Sequence, residues 1–179
     1  NIFSLRDVKI KIEEESQHCT KHRSEKGNEN NLSKDQINLL KSTDYSSNFF
    51  LEGYAYHNNL VEELNEKRYF NYHMTVVPEQ QAIYKAGNSA FIDFLKAECQ
   101  PTIANVQKGN LRSGQISFNV TKDGTISNIA LISTCGYPIV DQKMIDLMNE
   151  LPDAWNAATD GKGAKVNQIL VFSYGQGGC

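Results

Sequence analysis

The chain has 179 residues, of which 40% are hydrophobic and 22% are charged, and its formal net charge is −3. This composition fits one ordinary folded core or two small ones, and it excludes a collagen, a bare coiled coil and a wholly disordered chain. A protein with a net negative charge has no global positive field. We therefore do not expect its overall charge to attract a nucleic acid or an anionic lipid.

Residues 1–84 are predicted to form a polar, partly mobile N-terminal region. Residues 1–48 are rich in Asn, Ser, Lys and Glu, with a short alternating strand at Val8–Ile12 and a helix capped by Ser33. Aromatic residues become dense from Phe49 to Tyr84, which indicates extended segments on either side of a helix-like stretch, Asn59–Arg68. Tyr69–Val77 is predicted to be a strand or connector at a sheet edge, because its aromatic and β-branched residues end at Pro78.

Residues 85–179 are predicted to fold as one domain. A helix capped by Ser89 is expected to stop before Pro101, and a second helix is expected to begin at Asp141. Between them, Gln115–Thr121 and Ile126–Ser133 flank an Asp-Gly pair typical of a type I′ hairpin. Trp155 is expected to close the core, with a partner-facing anchor as the alternative. Val166–Tyr174 is expected to be the last strand.

The order helix, strand, strand, helix, strand predicts an α+β, two-layer domain. A hairpin joins the first two strands, and the second helix returns the chain beside the first strand. The sheet therefore has three antiparallel strands in the order 2-1-3, with two helices on one face. The last strand lies at an edge, where its main-chain groups are either protected or used to bind an extended peptide.

These motifs resemble the TonB C-terminal domain family over about residues 85 to 175. The resemblance lies in the segment Gln115–Ile129 around Asp123-Gly124, the helix that ends in Leu151-Pro152, Trp155, the turn Gly161–Gly163 and the final strand. It implies a periplasmic domain that binds an extended segment of an outer-membrane transporter as an added strand, with an inner-membrane motor complex supplying force. The family's Tyr-Pro pair corresponds to Gln100-Pro101, so only the proline is carried over.

The predicted partner-binding residues are those of the last strand and Pro101. They are Val166, Asn167, Gln168, Ile169, Leu170, Val171, Phe172, Ser173, Tyr174 and Pro101. Gln168, Val171, Ser173 and Tyr174 are expected to give specificity. The sequence has no proline before Pro78 and hence no Pro-rich spacer typical of an energy transducer. An envelope structural or adaptor module without motor coupling is therefore kept as the alternative. Because domains that resemble this family can pair through strand exchange, a homodimer is also kept open. The first residue is Asn1, so we expect a signal peptide or membrane anchor upstream in the full-length protein.

Four cysteines, Cys19, Cys99, Cys135 and Cys179, contain no C-x-x-C pair. In the strand order 2-1-3, Cys99, Cys135 and Cys179 are all expected near the same end of the sheet, so Cys179 can reach either of the other two. We predict a disulfide between Cys99 and Cys179. Cys135 with Cys179 is the rival pairing, and reduced thiols are the further alternative. No cofactor or metal site is predicted, although His18, Cys19 and His22 form a small imidazole and thiol cluster. A thiol enzyme would need Cys135 with His57 or His73, and no motif marks such a pair, so no catalysis is expected.

Overall fold

A computed structural model describes residues 2–16, 19–27, 30–58, 65–104, 106, 110–151 and 155–175. Within these ranges the chain is α+β, with three α-helices and antiparallel sheets. It divides into two compact units, Asn1–Val77 and Pro78–Cys179. The predicted boundary after residue 84 differs from this division, because Ile83–Tyr84 pairs with Trp155–Asn156 inside the second unit.

The first unit contains a four-stranded antiparallel sheet in the order β2-β1-β3-β4. Its elements are β1 (Ile2–Ser16), β2 (Cys19–Gly27), α1 (Lys34–Lys41), β3 (Asn48–Asn58) and β4 (Asn65–Thr75). Ile10, Ile12 and Phe49 are buried on one face, and Leu39 and Leu40 of α1 pack against them. The strand predicted at Val8–Ile12 is confirmed as part of β1. The sheet-edge position predicted for Tyr69–Val77 is confirmed for residues 69–75, which belong to the end strand β4.

Polar composition does not prevent regular pairing of β1 with β2. The two strands form nine residue pairs, and every second residue of β1 from Val8 to Ile12 supplies a buried side chain. One expectation for the first unit is wrong. A helix-like stretch is predicted at Asn59–Arg68, but residues 65–68 belong to strand β4. Residues 59–64 of that prediction lie outside the described residues.

Helix α1 begins at the predicted cap, Ser33. The Ser33 hydroxyl accepts a hydrogen bond from the backbone N–H of Gln36, and the Gln36 side chain accepts one from the backbone N–H of Ser33. The same Gln36 side chain is fully buried and donates to the carbonyl oxygen of Val8 over 2.9 Å. Gln36 therefore both caps the helix and fixes it to β1.

The second unit contains a three-stranded antiparallel sheet in the order β11-β6-β7. Its elements are β5 (Ile83–Tyr84), α2 (Asn88–Ile103), β6 (Ser113–Val120), β7 (Ile126–Ser133), α3 (Pro138–Glu150), β8 (Trp155–Asn156), β9 (Ala158–Thr159), β10 (Lys165–Val166) and β11 (Gln168–Gly175). Ile116, Phe118 and Val120 of β6 form one core with residues of both helices. The predicted strand order 2-1-3 agrees with β7-β6-β11.

Trp155 is buried in this core, as predicted. Its ring lies 5.3 Å from the Phe91 ring and 5.4 Å from the Phe118 ring, centroid to centroid, and Tyr84 completes the cluster. An aromatic side chain surrounded on several sides by other rings contributes to packing within the unit and is not available as a partner-facing anchor.

Three local expectations in the second unit need correction. Helix α2 begins at Asn88 with Gly87 as its cap, and it continues through Pro101 to Ile103, since a proline this close to the end removes only one hydrogen bond of the last turn. Helix α3 begins at Pro138 and not at Asp141. In the Asp-Gly hairpin Gly124 has a φ of 82°, whereas Asp123 does not have a positive φ, so the turn is not type I′.

The hairpin itself is confirmed. The backbone N–H of Gly124 donates to the Thr121 carbonyl and that of Thr121 donates to the Thr125 carbonyl, each over 2.9 Å. This pattern is typical of a three-residue loop in which glycine takes the left-handed position. None of the described helices combines the length and the apolar character that crossing a membrane would demand.

Replacing Gln36 with Ala is expected to lower the free energy of unfolding of the first unit by about 2–3 kcal/mol. The substitution removes the bond that the Gln36 side chain accepts from the Ser33 N–H, and it leaves the buried Val8 carbonyl without the amide that donates to it. Asn38→Ala, at an exposed position of the same helix, is the matched control and should be near neutral. Chemical denaturation followed by circular dichroism measures both, and equal effects would contradict this role of Gln36.

Candidate functional site

Strand β11 is an end strand of the second sheet. It pairs with β6 over eight consecutive residue pairs, from Gln168 opposite Val120 to Gly175 opposite Ser113, with no shift in register. Within the described part of the chain, the sheet has no strand beyond β11. The structure therefore places most of the predicted partner-binding segment on a straight sheet edge.

The two faces of β11 differ in character. Leu170 and Phe172 pack against the core, whereas Ile169 and Val171 are on the opposite face with 52% and 56% of their surface exposed. The Ser173 hydroxyl, on the same side as Val171, accepts a hydrogen bond from the Gln115 side chain over 3.3 Å. The exposed apolar side chains of the edge are therefore Ile169 and Val171.

Several predicted contact residues are placed elsewhere. Val166 belongs to β10 and pairs with Ala158, so the predicted last strand is interrupted at Asn167, whose side chain accepts a hydrogen bond from the backbone of Lys122. Gln168 and Tyr174 are buried and cannot face a partner, because their side chains point to the core side of the sheet. These two residues anchor the strand.

Tyr174 fixes the C-terminal end of β11 through a buried carboxylate. Its hydroxyl donates to Asp141 Oδ1 over 2.6 Å. Asp141 Oδ1 also accepts from the backbone N–H of Cys135 over 3.0 Å, and Oδ2 accepts from the Thr134 hydroxyl. One carboxylate thus joins the first turn of α3, the loop after β7 and the end of β11.

The surroundings of Asp141 change the pKa values of the cluster. Burial raises the pKa of Asp141, but the hydrogen bonds donated by Thr134, Tyr174 and Cys135 outweigh burial, so its pKa lies below the usual value. Burial, followed by the bond to Asp141, raises the pKa of Tyr174 well above its usual value. The pair is therefore held as a carboxylate and a neutral phenol.

Gly114 provides the space that Tyr174 occupies. The two residues are opposite each other in the register of β6 and β11, and a Cβ atom at Gly114 would lie 2.6 Å from Cζ of the Tyr174 ring and 2.9 Å from the backbone nitrogen of Cys135. A side chain at this position would push the ring away from Asp141. Glycine is required here because of this close approach.

Gln168 fixes the other end of β11. Its side-chain oxygen accepts a hydrogen bond from the backbone N–H of Ala82 over 2.7 Å, in a buried position. Both ends of the strand are therefore tied to other segments of the unit by buried polar contacts. Such contacts hold an edge strand straight without a second neighbouring strand.

The other edges of the two main sheets carry features that discourage pairing. Strand β2 has the exposed charges Glu25 and Lys26, and β4 has Lys67 and Arg68. Strand β7 carries no charge, but its pairing with β6 shifts register twice. Charges and bulges are the usual means of protecting edges. Strand β11 has neither along its eight residues.

Pro101 and Cys99 both lie in the C-terminal part of α2. Pro101 is exposed in the last turn of α2. A cavity of about 260 Å³ has walls that include Cys99, Gln100, Tyr174 and Gly175. Cys99 is a buried thiol whose Sγ lies 3.0 Å from Met144 Sδ, and Cys179 lies outside the described residues. The Cys99–Cys179 disulfide and its rival stay predictions.

The thiol and imidazole pair considered from the sequence combines Cys135 of the second unit with a histidine of the first unit. Burial, followed by a hydrogen bond to Asp141, raises the pKa of Cys135, which is opposite to the change that activates a nucleophile. His73 is exposed and stacks on Phe50 in the first unit, and the side chain of His57 lies outside those described. Among the described side chains, no group of three or more metal-ligating residues converges. The His18–His22 cluster is outside that set.

The sequence pattern predicts Asp141 at a helix start and does not reveal its role as a shared acceptor. The available signal was Pro138, because proline is favoured at the first position of a helix. A helix that begins at Pro138 contains Asp141 in its first turn. No protein-family model, curated protein or solved structure matches this chain.

Replacing Tyr174 with Phe is expected to lower the free energy of unfolding of the second unit by about 1.5–3 kcal/mol near pH 7, because it removes a hydrogen bond to a charged group. The folded pKa of Tyr174 is raised, so this contribution is complete below the unfolded pKa of about 10 and decreases as the pH rises above it. The difference between wild type and Y174F should therefore narrow above about pH 10.

Urea unfolding at several pH values measures this difference. Tyr72→Phe, at an exposed position of the first unit, is the control and should show little effect. A Y174F effect that is negligible near pH 7, or that does not change between about pH 7 and pH 11, would contradict the buried pair.

Proposed function

We propose that the second unit binds an extended segment of another protein by adding it as a strand beside β11. The observation that carries this proposal is the contrast among the main sheet edges, in which β11 is paired without a register shift, uncharged and anchored at both ends. A row of main-chain donors and acceptors on such a strand is a template for an incoming backbone.

The energetics of strand addition fit a sequence-tolerant site. Each main-chain hydrogen bond contributes about 0.5–1.5 kcal/mol net, so a few bonds give moderate affinity. Cross-strand contacts add about 0.2–1 kcal/mol per pair, and here they would involve Ile169 and Val171. We therefore expect the partner segment to be uncharged and β-branched or aromatic opposite these two residues.

The class of partner follows from the resemblance to the TonB C-terminal family. It supports a periplasmic location and a segment of an outer-membrane transporter, or another envelope protein, as the partner. An energy transducer and an adaptor without motor coupling would use the same edge. We propose strand addition as the binding mode in either case. A membrane anchor and a motor partner would be needed only by an energy transducer.

Replacing both Ile169 and Val171 with Lys is expected to weaken peptide binding about tenfold, because the double substitution removes two apolar cross-strand pairs and places charge on the edge. The probes are twelve-residue peptides selected from a random displayed library on the immobilised chain. Fluorescence anisotropy with labelled peptides gives the affinity of wild type and variant.

The matched control is the double variant Ile132→Lys, Ile139→Lys. These residues are as exposed as Ile169 and Val171 and lie on β7 and α3 of the same unit. The control variant has the same change in charge and apolar surface and should bind the peptides like wild type. Equal losses in both variants, or unaffected binding by the β11 variant, would contradict strand addition at β11.

A further inference from the structure

The two faces of the first sheet are chemically different. On β1, Ile10 and Ile12 face α1, and Lys9 and Lys11, which alternate with them, face the other side. The bulge between Arg6 and Lys9 brings Arg6 to the same side as these lysines. That other side carries five cationic side chains, which we call the cationic face: Arg6, Lys9, Lys11, Lys26 and Lys67. The carboxylates described beside them are Glu52, which is 3.8 Å from Lys9, and Asp7 in the bulge of β1.

Aromatic rings hold several of these cations in place. Lys67 Nζ lies 3.8 Å from the centroid of the Tyr54 ring, Lys11 Nζ lies 5.8 Å from Phe50, and the Arg6 guanidinium lies 5.4 Å from Tyr56. Cation–π contacts of this kind orient a cation without neutralising it. The ring faces are occupied by cations, so the rings support the charges and do not offer stacking platforms for bases.

Two of the cations are placed against each other. Lys9 and Lys26 are directly opposite in the register of β1 and β2. Like charges in this position destabilise a sheet, and neither residue is needed for the core, which is built from the other face. Glu52 pairs with Lys9 over 3.8 Å, and an anionic partner on this face would reduce the remaining repulsion between the two lysines.

The cations are distributed over an area and not along a line. They extend over about 17 Å along β1, from Arg6 to Lys11, and over about 14 Å across the sheet, from Lys26 on β2 to Lys67 on β4. Past Lys11 the strand continues into Glu13–Glu15, so the cations occupy one half of it. A linear polymer would contact only part of this area, whereas a planar array of anionic groups matches it.

We propose that the cationic face binds the surface of a membrane that contains anionic phospholipids. The lipid phosphates would pair with the lysine and arginine side chains, and Tyr69, which is 56% exposed on the same face, would lie at the level of the headgroups. The net charge of −3 hides this asymmetry, because it averages the face with the acidic residues elsewhere. The proposal is independent of strand addition at β11.

Sedimentation of the full chain with vesicles tests the proposal. Vesicles of equal parts phosphatidylglycerol and phosphatidylcholine should bind the chain at about 0.1 M salt, and vesicles of phosphatidylcholine alone should not. The variant Arg6→Gln, Lys26→Gln, Lys67→Gln is expected to bind about a hundredfold more weakly, at about fivefold for each cation removed. Raising the salt to about 0.5 M should also release the protein.

The control variant is Lys96→Gln, Lys122→Gln, Lys162→Gln, which removes the same charge from exposed positions of the second unit. It should bind the anionic vesicles like wild type, and circular dichroism verifies that both variants are folded. Equal loss in both variants, equal binding to neutral vesicles, or no binding to anionic vesicles would overturn the proposal. Binding to poly-glutamate without binding to vesicles would also overturn it, and would assign the face to an acidic polypeptide.

Discussion

The organisation of the second unit depends on one buried carboxylate. Asp141 accepts hydrogen bonds from the Tyr174 hydroxyl, the Thr134 hydroxyl and the Cys135 backbone, and so it connects α3, the end of β7 and the end of β11. The Tyr174 hydroxyl and the Cys135 N–H are both buried in these bonds and would be costly to leave without an acceptor. Because the three segments share one acceptor, the edge strand is held in register at its C-terminal end by the same interaction that positions the helix.

This constraint explains how an exposed edge can remain straight. An end strand is stabilised by one neighbour only, and it commonly frays or bends away. Here the Tyr174–Asp141 pair at one end and the Gln168–Ala82 contact at the other hold eight residues in continuous pairing with β6. A preorganised template loses less conformational entropy when a partner adds to it. The anchoring therefore supports a binding role for β11, and the absence of charges and bulges leaves its outer side suited to pairing.

Much of the second unit could be predicted because its signals are local. Alternation in β6, the Asp-Gly turn and the apolar stripes of the helices determine the strand order through known rules of connection. The roles of Tyr174 and Gln168 could not be predicted, since alternation assigns a face to a side chain but does not reveal a buried acceptor contributed by a distant segment. In the first unit, polar composition hid a pair of long strands in which the described buried side chains of β1 are Val8, Ile10 and Ile12, and α1 was predictable because Ser33 and Gln36 form a capping box within one turn.

Hydrogen exchange of the individual β11 amides, followed by NMR on the full chain without a partner, tests the central claim most directly. In an antiparallel edge strand every second N–H faces the neighbouring strand, and the others face outwards. The account predicts that slow and rapid exchange alternate along the residues from Leu170 to Gly175. Slow exchange at every one of these residues would show that the outer side of β11 is already occupied, and it would contradict strand addition as the function of this edge.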